Sequence, residues 1–336
     1  MRSGLGNVRR LGGLLSVLLL ATALSACGQG GSSGESTEEA ADNAAFPVTV
    51  STKFGEVTVP EKPERVVALG WSDAETALDL GVQPVGVSDW LDFGGNGVGP
   101  WAAGEFTASP EMLGTNEVDY EKVASLEPDL ILNTRSDGSR EKHQTLSKIA
   151  PTIAPPADTV PYGTSWRQQL DLVSKALGKS DAGQARIAEV ERAFSETLSQ
   201  HPQLRDKTVG VGAYYGSDQY GAYLTGDSRV RFMRELGMTN KPEIDELGSG
   251  SFYVDISRER LDVLSADLTV VFAINGSPRQ LWQDQLLNRT SAAREGRLVI
   301  LDDPEVVNAF SSGSASGMEY ALQQVAPVFA EHVADS

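Results

Sequence analysis

The stretch that decides the fold is SWRQQLDLVSKALGKSDAGQARIAEVERAFSETLSQ, residues 165–200, in which strand patterns stop and helical patterns take over. Apolar residues recur there at helical spacing in two runs, namely Trp166, Leu170, Val173 and Leu177, then Ile187, Val190, Phe194 and Leu198. Gly178 divides the runs, and Ser180 is a candidate N-cap for the second. Residues 161–204 are therefore predicted to be bridging helices, with Trp166 in the core.

Short apolar strands alternate with helical periods on both sides of this bridge. An edge hairpin is predicted over residues 46–60. Strands are predicted at 65–69, 84–88, 129–133 and 152–154 before the bridge, and at 208–215, 268–274 and 298–301 after it. Helices are predicted at 72–80, 120–126, 139–149, 228–236 and 315–332. This β-α-β alternation indicates an α/β fold with two lobes, residues 46–160 and 205–336, each a parallel sheet covered by helices.

The two lobes also share a sequence pattern. EKVASLEPDLIL at 121–132 matches ERLDVLSADLTV at 259–270. In both, a glutamate followed by a basic residue opens an apolar helix, and an aspartate eight residues later precedes a strand. The match indicates lobes related by approximate symmetry, although helix-to-strand joints share composition and a chance match stays open.

The N-terminus reads as a secretion signal. Arg2, Arg9 and Arg10 form a basic region, and the apolar run at 11–24 is too short for a membrane span. The segment LSAC at 24–27 resembles a bacterial lipobox, and Cys27 is the single cysteine. This resemblance implies a lipoprotein signal peptide over 1–26, cleavage before Cys27 and lipid on its thiol. An ordinary secretory signal with an incidental cysteine is the alternative.

Composition narrows the partners. Residues 27–45 are rich in Gly, Ser and Glu without an apolar period, which predicts a disordered tether. The whole chain has a net charge of −18, and loss of the three signal-peptide arginines would leave a charge near −21. Such an acidic protein repels nucleic acid and anionic lipid, so the N-terminal lipid would have to attach it to the membrane.

Three stretches in combination resemble the iron-siderophore and cobalamin solute-binding proteins of ABC importers. They are RVVAL at 65–69 with Glu75, Leu80-Gly81 and PVGV at 84–87; VDYE at 118–121 with LEPDLI at 126–131; and ISRE at 256–259 with Leu264 and Asp267-Leu268. The likeness covers about residues 57–336. It implies two Rossmann-like lobes joined by one long, rigid helix, which would allow little closure and leave the cleft largely preformed.

The resemblance also implies a function. The protein is expected to be a monomeric, lipid-anchored binding protein outside the cytoplasmic membrane, with no enzymatic activity and no cofactor. It would capture a ferric siderophore and deliver it to an ABC permease dimer with its ATPase. Hydroxamate, catecholate and mixed siderophores stay open, as do cobalamin and haem as ligands. Whether the location is a Gram-positive surface or a periplasm stays open too.

Candidate ligand residues follow from where ligands bind in such sheets, at the carboxyl ends of strands. The residues just after predicted strands are Trp71, Asp89, Trp90, Arg135, Tyr214, Tyr215, Asn275, Asp302 and Asp303, and Arg229 and Arg231 open a later helix. Arginines would pair with the oxygens of an anionic chelate, and aromatic rings would cover its faces. From this set, the predicted ligand-binding residues are Trp71, Trp90, Arg135, Tyr214, Tyr215, Arg229, Arg231 and Asn275.

The matched glutamates have a separate predicted role. The resemblance implies that Glu121 and Glu259 each dock onto an arginine of one permease subunit. The alternative is that both are ordinary first-turn glutamates favoured by the helix dipole.

Direct metal chemistry and catalysis have little support in the sequence. His143, His201 and His332 are isolated and no ligand motif occurs, so iron is expected only as a chelate. No pair of nucleophile and base stands out, which leaves a secreted hydrolase as a distant alternative.

Overall fold

The structure is a computed structural model, and it describes residues 46–115, 117–274 and 276–333. The predicted signal peptide, the tether with Cys27, and the candidate ligand residue Asn275 lie outside the described residues. Within the described part of the chain, no helix combines the length and apolar character needed to cross a membrane.

The N-terminal lobe is a parallel sheet preceded by a hairpin. The hairpin strands are β1 (Val48–Thr52) and β2 (Gly55–Val59). The sheet strands are β3 (Val66–Ala68), β4 (Gly86–Val87), β5 (Glu111–Met112), β6 (Leu130–Leu132) and β7 (Thr152–Ile153), in the order β5-β4-β3-β6-β7. The helices are α1 (Asp73–Asp79), α2 (Tyr120–Ser125) and α3 (Arg140–Leu146). The strand order reverses between β3 and β6, so the loops after these two strands form the crevice where such sheets bind ligands.

Two helices form the bridge, α4 (Trp166–Ala176) and α5 (Ser180–Gln200). Gly178 adopts φ 67°, a left-handed conformation that ends a helix, so the expected single long helix is broken there. Ser180 is the first residue of α5, and Lys179 occupies the N-cap position that we predicted for Ser180. Gly183 lets α5 lie close against α4, since a Cβ there would be 2.3 Å from Ser174 Oγ.

Each bridging helix belongs mainly to one lobe. Leu170 and Val173 of α4 pack in the N-terminal core, whereas Val190 and Phe194 of α5 pack in the C-terminal core. Ile187 contacts both cores. Trp166 is buried, as predicted, and it packs in the C-terminal core although it begins α4. The two runs of apolar residues seen in the sequence therefore pack mainly against different cores, the first against the N-terminal core and the second against the C-terminal core.

The C-terminal lobe contains a mixed sheet. Its strands are β8 (Thr208–Gly216), β9 (Gln219–Tyr223), β10 (Thr239–Asn240), β11 (Tyr253–Ile256), β12 (Leu268–Ala273) and β13 (Leu298–Leu301). The order is β11-β9-β8-β12-β13, with β10 beside the start of β8. Strands β8, β12 and β13 are parallel, and β9 runs antiparallel to both β8 and β11. The predicted β-α-β alternation is thus interrupted by a hairpin.

The helices of this lobe are α6 (Ser228–Glu235), α7 (Pro242–Asp245), α8 (Pro278–Gln283), α9 (Ser291–Arg294), α10 (Pro304–Ser312) and α11 (Ala315–His332). Short 3-10 helices occur at Ala103–Glu105, Pro202–Leu204, Arg258–Leu264 and Leu287–Arg289. The bounds of α11 are those predicted from its apolar period.

The internal sequence echo has a structural counterpart. The Asp129 carboxylate accepts hydrogen bonds from the backbone N–H groups of Glu64 (2.7 Å) and Arg65 (3.0 Å), just before β3. The Asp267 carboxylate accepts from the backbone N–H (2.8 Å) and hydroxyl (2.7 Å) of Thr208, which begins β8. In each lobe, the aspartate that precedes one central strand holds the start of the adjacent parallel strand.

Candidate ligand-binding cleft

Two tryptophan rings form the N-terminal wall of the cleft, and a third aromatic ring stacks on one of them. The rings of Trp71 and Trp90 are nearly parallel, with centroids 4.3 Å apart, and Tyr162 stacks at 4.1 Å from Trp71. Trp71 lies in the loop after β3, where its backbone N–H donates to the carbonyl oxygen of Arg135 in the loop after β6 (2.8 Å). The stack therefore stands at the reversal of strand order, where we expected ligand-facing residues.

A buried carboxylate holds these loops together. Asp73 is fully buried and accepts hydrogen bonds from the backbone N–H groups of Gly70 (3.0 Å) and Thr134 (2.9 Å) and from Gln169 Nε2 (2.7 Å). Burial raises the pKa of the Asp73 carboxyl above its usual value, and the bonds from Thr134 and Gln169 oppose that rise. Because Gln169 belongs to α4, the bridge itself fixes the crevice.

The aromatic stack faces a cavity of about 560 Å³ between the lobes. This volume lies within the usual range for small-molecule sites, roughly 300–1,000 Å³. Its described lining consists of Trp71, Trp90, Leu91, Asp92, Tyr215, Tyr223, Arg229, Phe252, Tyr253, Phe272, Ala273, Ile274, Val307, Asn308 and Ser311. Four predicted residues, Trp71, Trp90, Tyr215 and Arg229, are thus brought together on this cavity.

Arg229 is a buried cation of the lining, and its charge has a partner. Its guanidinium is 2.8 Å from the Asp227 carboxylate and 3.1 Å from Ser311 Oγ, and lies 4.2 Å from the ring centroid of Tyr223. Burial alone would lower the pKa of Arg229, but the Asp227 charge raises it above the ordinary value. Arg229 therefore stays protonated and is neutralised within its own lobe.

The other two predicted arginines lie outside the cavity, which corrects the sequence interpretation. Arg135 is buried behind the tryptophans and donates to the carbonyl oxygens of Ser312 (2.5 Å) and Tyr162 (3.3 Å) and to Ser228 Oγ (3.0 Å). Arg231 donates to the carbonyl oxygen of Gly163 (2.6 Å) in a separate depression. The Arg135 guanidinium ties the two lobes together through Ser312, and the Arg231 guanidinium ties the C-terminal lobe to the segment that leads into α4.

Tyr214 is also not in the cavity. It is buried in the core on the other face of β8, where its ring lies 5.1 Å from that of Tyr220. Since consecutive side chains of a strand point to opposite faces, Tyr214 and Tyr215 could not both face the cleft. Asn275 lies outside the described residues.

The carboxylates that follow predicted strands have local structural partners. Asp89 accepts from the backbone N–H groups of Phe93 (2.9 Å) and Gly94 (2.7 Å), which fixes the loop beyond Trp90. Asp303 caps α10, and the exposed Asp302 lies 3.4 Å from Trp282 Nε1. Asp89 and Asp303 therefore have structural roles that require no ligand.

Several lining residues were missed by the sequence argument. Phe252 and Tyr253 stand where β11 begins, and Tyr223 ends the antiparallel strand β9. The rule used for prediction considers the carboxyl ends of parallel strands, so it passes over residues placed by a hairpin. Asn308 and Ser311 come from α10, whose period indicates a partly buried helix but not which side meets the cleft.

Buried carboxylates also occur at the seam between α1 and the start of α11. Glu75 accepts from Trp101 Nε1 (2.6 Å) and the backbone N–H of Gly99 (3.2 Å), and its Oε2 is buried. Asp79 accepts from the backbone N–H of Ser316 (3.3 Å) and lies 3.7 Å from Arg186. Burial raises the pKa of Glu75 to about 7 and that of Asp79 to about 6.

Glu121 and Glu259 occupy matching positions on the surface. Both are exposed, and each stands nine residues before a central strand, β6 or β12. Glu121 is in the first turn of α2, whereas Glu259 is in a 3-10 helix. Within the described residues, neither carboxylate forms a side-chain hydrogen bond or a salt bridge.

Comparison with known proteins agrees with this architecture. A family model described as "Periplasmic binding protein" matches residues 66–305, so the chain belongs to this family of solute-binding proteins. The Fe(3+)-citrate-binding protein YfmC of Bacillus subtilis is 27% identical over 270 residues, which cover 78% of this chain and 79% of that protein. The probable siderophore-binding lipoprotein YfiY of the same organism is 26% identical over 347 residues, covering 94% and 97%.

A solved structure extends the similarity to three dimensions. PiaA of Streptococcus pneumoniae in complex with ferrichrome has a TM-score of 0.72 and 25% identity, covering 85% of this chain and 98% of that one. The resemblance seen in the sequence and the two-lobed α/β fold class are therefore confirmed. These relatives are binding proteins and not enzymes, so the hydrolase alternative finds no support.

Proposed function

We propose that this protein captures a ferric siderophore in the cavity between its lobes and delivers it to an ABC permease for iron uptake. The observation that carries the proposal is the cavity itself, walled by the Trp71–Trp90 stack and by Tyr215, Phe252 and Tyr253, at the reversal of strand order. Flat aromatic surfaces suit the organic arms of a chelate. Relatives named for ferric citrate and siderophore binding, and one solved with ferrichrome, support this ligand class.

Iron would enter as a finished chelate. The described residues contain no group of three or more His, Cys, Asp and Glu side chains that could hold a metal ion. Tyr215 lines the cavity, and burial raises the pKa of its phenol. A phenol that resists ionisation is a poor ligand for bare Fe³⁺ and a good hydrogen-bond donor to a chelate oxygen.

Delivery would use the two matched glutamates. Glu121 and Glu259 are exposed, have no partner among the described residues and precede equivalent strands of the two lobes. Two like charges on two related lobes suit a permease built from two related subunits, each offering a cation. The ABC permease dimer with its ATPase is the proposed partner.

The site of action would be outside the cytoplasmic membrane. The proposal rests on the lipobox-like segment that ends in Cys27 and on a relative named as a lipoprotein. The protein would be a monomer held at the membrane by lipid on Cys27.

Ligand titration tests the proposal directly. Intrinsic tryptophan fluorescence would follow titration with ferrichrome, ferric enterobactin, ferric citrate, cobalamin, haemin and ferric chloride, because Trp71 and Trp90 face the cavity. We expect saturable quenching by at least one ferric siderophore and none by ferric chloride. At a free concentration about 100 times the Kd, the siderophore would stabilise the fold by roughly 2.7 kcal/mol. Binding of cobalamin or haemin alone would replace the proposal with those ligands.

A further inference from the structure

A second depression lies where the bridge begins, apart from the ligand cavity. It has a volume of about 330 Å³ and is lined by residues at the start of α4 and in the second half of α6. These residues are Ser165, Trp166, Arg167, Arg231, Arg234 and Glu235. None of them lines the cavity beside the tryptophan stack, so the proposed siderophore site leaves this depression unexplained.

One of the three arginines in this depression is neutralised by carboxylates. Arg167 donates from Nε to Glu191 of α5 (2.7 Å) and from Nη2 to Glu235 (2.9 Å). Because both glutamates direct their carboxylates to Arg167, neither forms a salt bridge with the other two arginines in the described part of the chain. Three arginines therefore meet only two glutamates at this place.

Arg231 and Arg234 are the two arginines without an acidic partner. They stand three residues apart on α6, which makes them neighbours on the helix surface. Arg231 donates from Nη1 to the carbonyl oxygen of Gly163 (2.6 Å), and the side chain of Arg234 forms no hydrogen bond or salt bridge within the described residues. Burial lowers the pKa of Arg231, the charge of Asp227 opposes that fall, and the charge of Arg234 adds to it. Arginine stays protonated in proteins, so two like charges lie side by side here.

The start of α4 adds hydrogen-bond donors to the same lining. The backbone N–H groups of Trp166 and Arg167 have no acceptor among the described residues, as is usual in the first turn of a helix. The side chain of Trp166 is 6% exposed, and its indole N–H is buried with no acceptor in the described ranges. The start of a helix also carries partial positive charge, which favours a nearby anion.

This local excess of positive charge and donors contrasts with the net charge of −18 on the whole chain. A bound anion would relieve the repulsion between the neighbouring arginines. Phosphate and sulfate suit the place, because their oxygens accept several hydrogen bonds at once and match the geometry of a guanidinium. Two cations favour an anion with two negative charges over the singly charged phosphodiester of a lipid head group.

We propose that this depression binds a doubly charged oxyanion of the phosphate or sulfate class, held by Arg231, Arg234 and the start of α4. The site is separate from the siderophore cavity, so the proposal does not depend on the proposed function. The bound anion would contact both α4 and α6 and would therefore stabilise the packing of the bridge against the C-terminal lobe.

Titration of the full chain with sodium phosphate tests the site. At about pH 8 phosphate carries close to two negative charges, and sodium chloride keeps the ionic strength constant. We expect saturable binding by isothermal titration calorimetry with a Kd on the order of 1 mM, a saturable rise in Tm, and competition by sulfate. Glycerophosphoglycerol, a singly charged phosphodiester, should bind at least about tenfold more weakly. Equal or tighter binding of the diester would overturn the assignment to a doubly charged ion, and a Tm that does not respond to phosphate would overturn the site.

A pair of matched variants locates the site. Arg234→Gln removes an exposed cation from the last turn of α6, and Arg294→Gln makes the same change at an exposed arginine in the last turn of α9. We expect Arg234→Gln to weaken phosphate binding by about tenfold, because hydrogen bonds between charged groups are among the stronger ones. Arg294→Gln should leave the Kd near its original value. The general stabilisation of folded proteins by phosphate and sulfate salts acts on both variants alike. An equal effect in the two variants, or none in Arg234→Gln, would refute binding in this depression.

Discussion

Arg135 of the N-terminal lobe donates a hydrogen bond of 2.5 Å from Nη1 to the carbonyl oxygen of Ser312 in the C-terminal lobe. The same carbonyl accepts a bond of 2.6 Å from Ser72 Oγ. The Arg135 guanidinium also lies 5.7 Å from the ring centroid of Trp71 and 5.2 Å from that of Trp90. One buried cation therefore joins the lobes and supports the aromatic wall from behind.

Loss of this tie should loosen the lobe boundary. Arg135→Met removes a buried guanidinium whose pKa burial lowers to about 10, together with its bonds to Ser312 and Ser228. We expect a loss of roughly 2 kcal/mol, because bonds from charged donors contribute about 1.5–3 kcal/mol. For a chain of this size, with about 2.1 cal/mol/K of unfolding entropy per residue, the Tm should fall by roughly 3 °C. Scanning calorimetry measures the Tm, and Arg192→Met, at an exposed arginine, is the control. A Tm equal to that of the control would show that the tie contributes nothing.

The aromatic wall should dominate ligand affinity. Trp71→Ala removes the central ring of the stack formed with Trp90 and Tyr162. Buried aromatic anchors typically contribute 2 kcal/mol or more, so the Kd for the cognate siderophore should rise at least about 30-fold. Isothermal titration calorimetry gives this constant without relying on tryptophan emission. Trp282→Ala, at a ring 54% exposed and outside the cavity, should leave the Kd near its original value. A comparable loss of affinity in both variants would show that the aromatic stack is not part of the binding site.

The matched glutamates should matter for transport and not for capture. Glu121→Arg with Glu259→Arg should abolish most siderophore uptake in cells while the Kd of the purified protein changes little. Exposed charge pairs contribute only about 0.2–1 kcal/mol each, so single alanine substitutions should be mild. Charge reversal to arginine should reduce uptake more than alanine substitution, because like charges repel at the docking face. Full uptake by the doubly reversed protein would make both residues ordinary helix-start carboxylates.

The seam carboxylate Glu75 should make stability depend on pH. Burial raises the pKa of Glu75 from 4.5 to about 7, so the folded protein binds more protons than the unfolded chain between those values. The free energy of unfolding should therefore fall as pH rises from about 4.5 to 7, by on the order of 3 kcal/mol from this group. Glu75→Gln should lose that part of the slope in denaturant titrations at pH 5 and pH 8. The exposed Glu105→Gln should keep it, and an unchanged slope in Glu75→Gln would contradict the assignment.

Membrane attachment should depend on Cys27. Cys27→Ser should release the protein into the soluble fraction, because the thiol would be the lipid acceptor. Folding and siderophore affinity of the released protein should be unaltered, which thermal unfolding and titration would check. A Cys27→Ser protein that still sediments with membranes would disprove lipid attachment at this residue.

The sequence by itself determined the α/β class and the order of the main helices and parallel strands. Apolar period and strand alternation are local properties, so they predicted α11, the strand over residues 298–301, the helical bridge and the α/β class. The repeated Glu…Asp pattern also indicated related lobes, and Asp129 and Asp267 have equivalent partners. Trp71, Trp90 and Tyr215 were chosen because they follow strands, and all three line the cavity, since parallel strands end at one edge of the sheet.

Only the tertiary structure decided which polar groups face the ligand. Arg135, Arg229 and Arg231 were predicted alike from the sequence. In the structure, however, Arg135 donates to Ser312 in the C-terminal lobe and Arg231 donates to Gly163 in the bridging segment. The pleat of β8 separates Tyr214 from Tyr215, and the hairpin brings Tyr223 into the lining. The hydrogen-bond partners of a side chain, and whether it points into the cavity, depend on contacts between residues far apart in the chain. A local sequence period carries no information about those contacts.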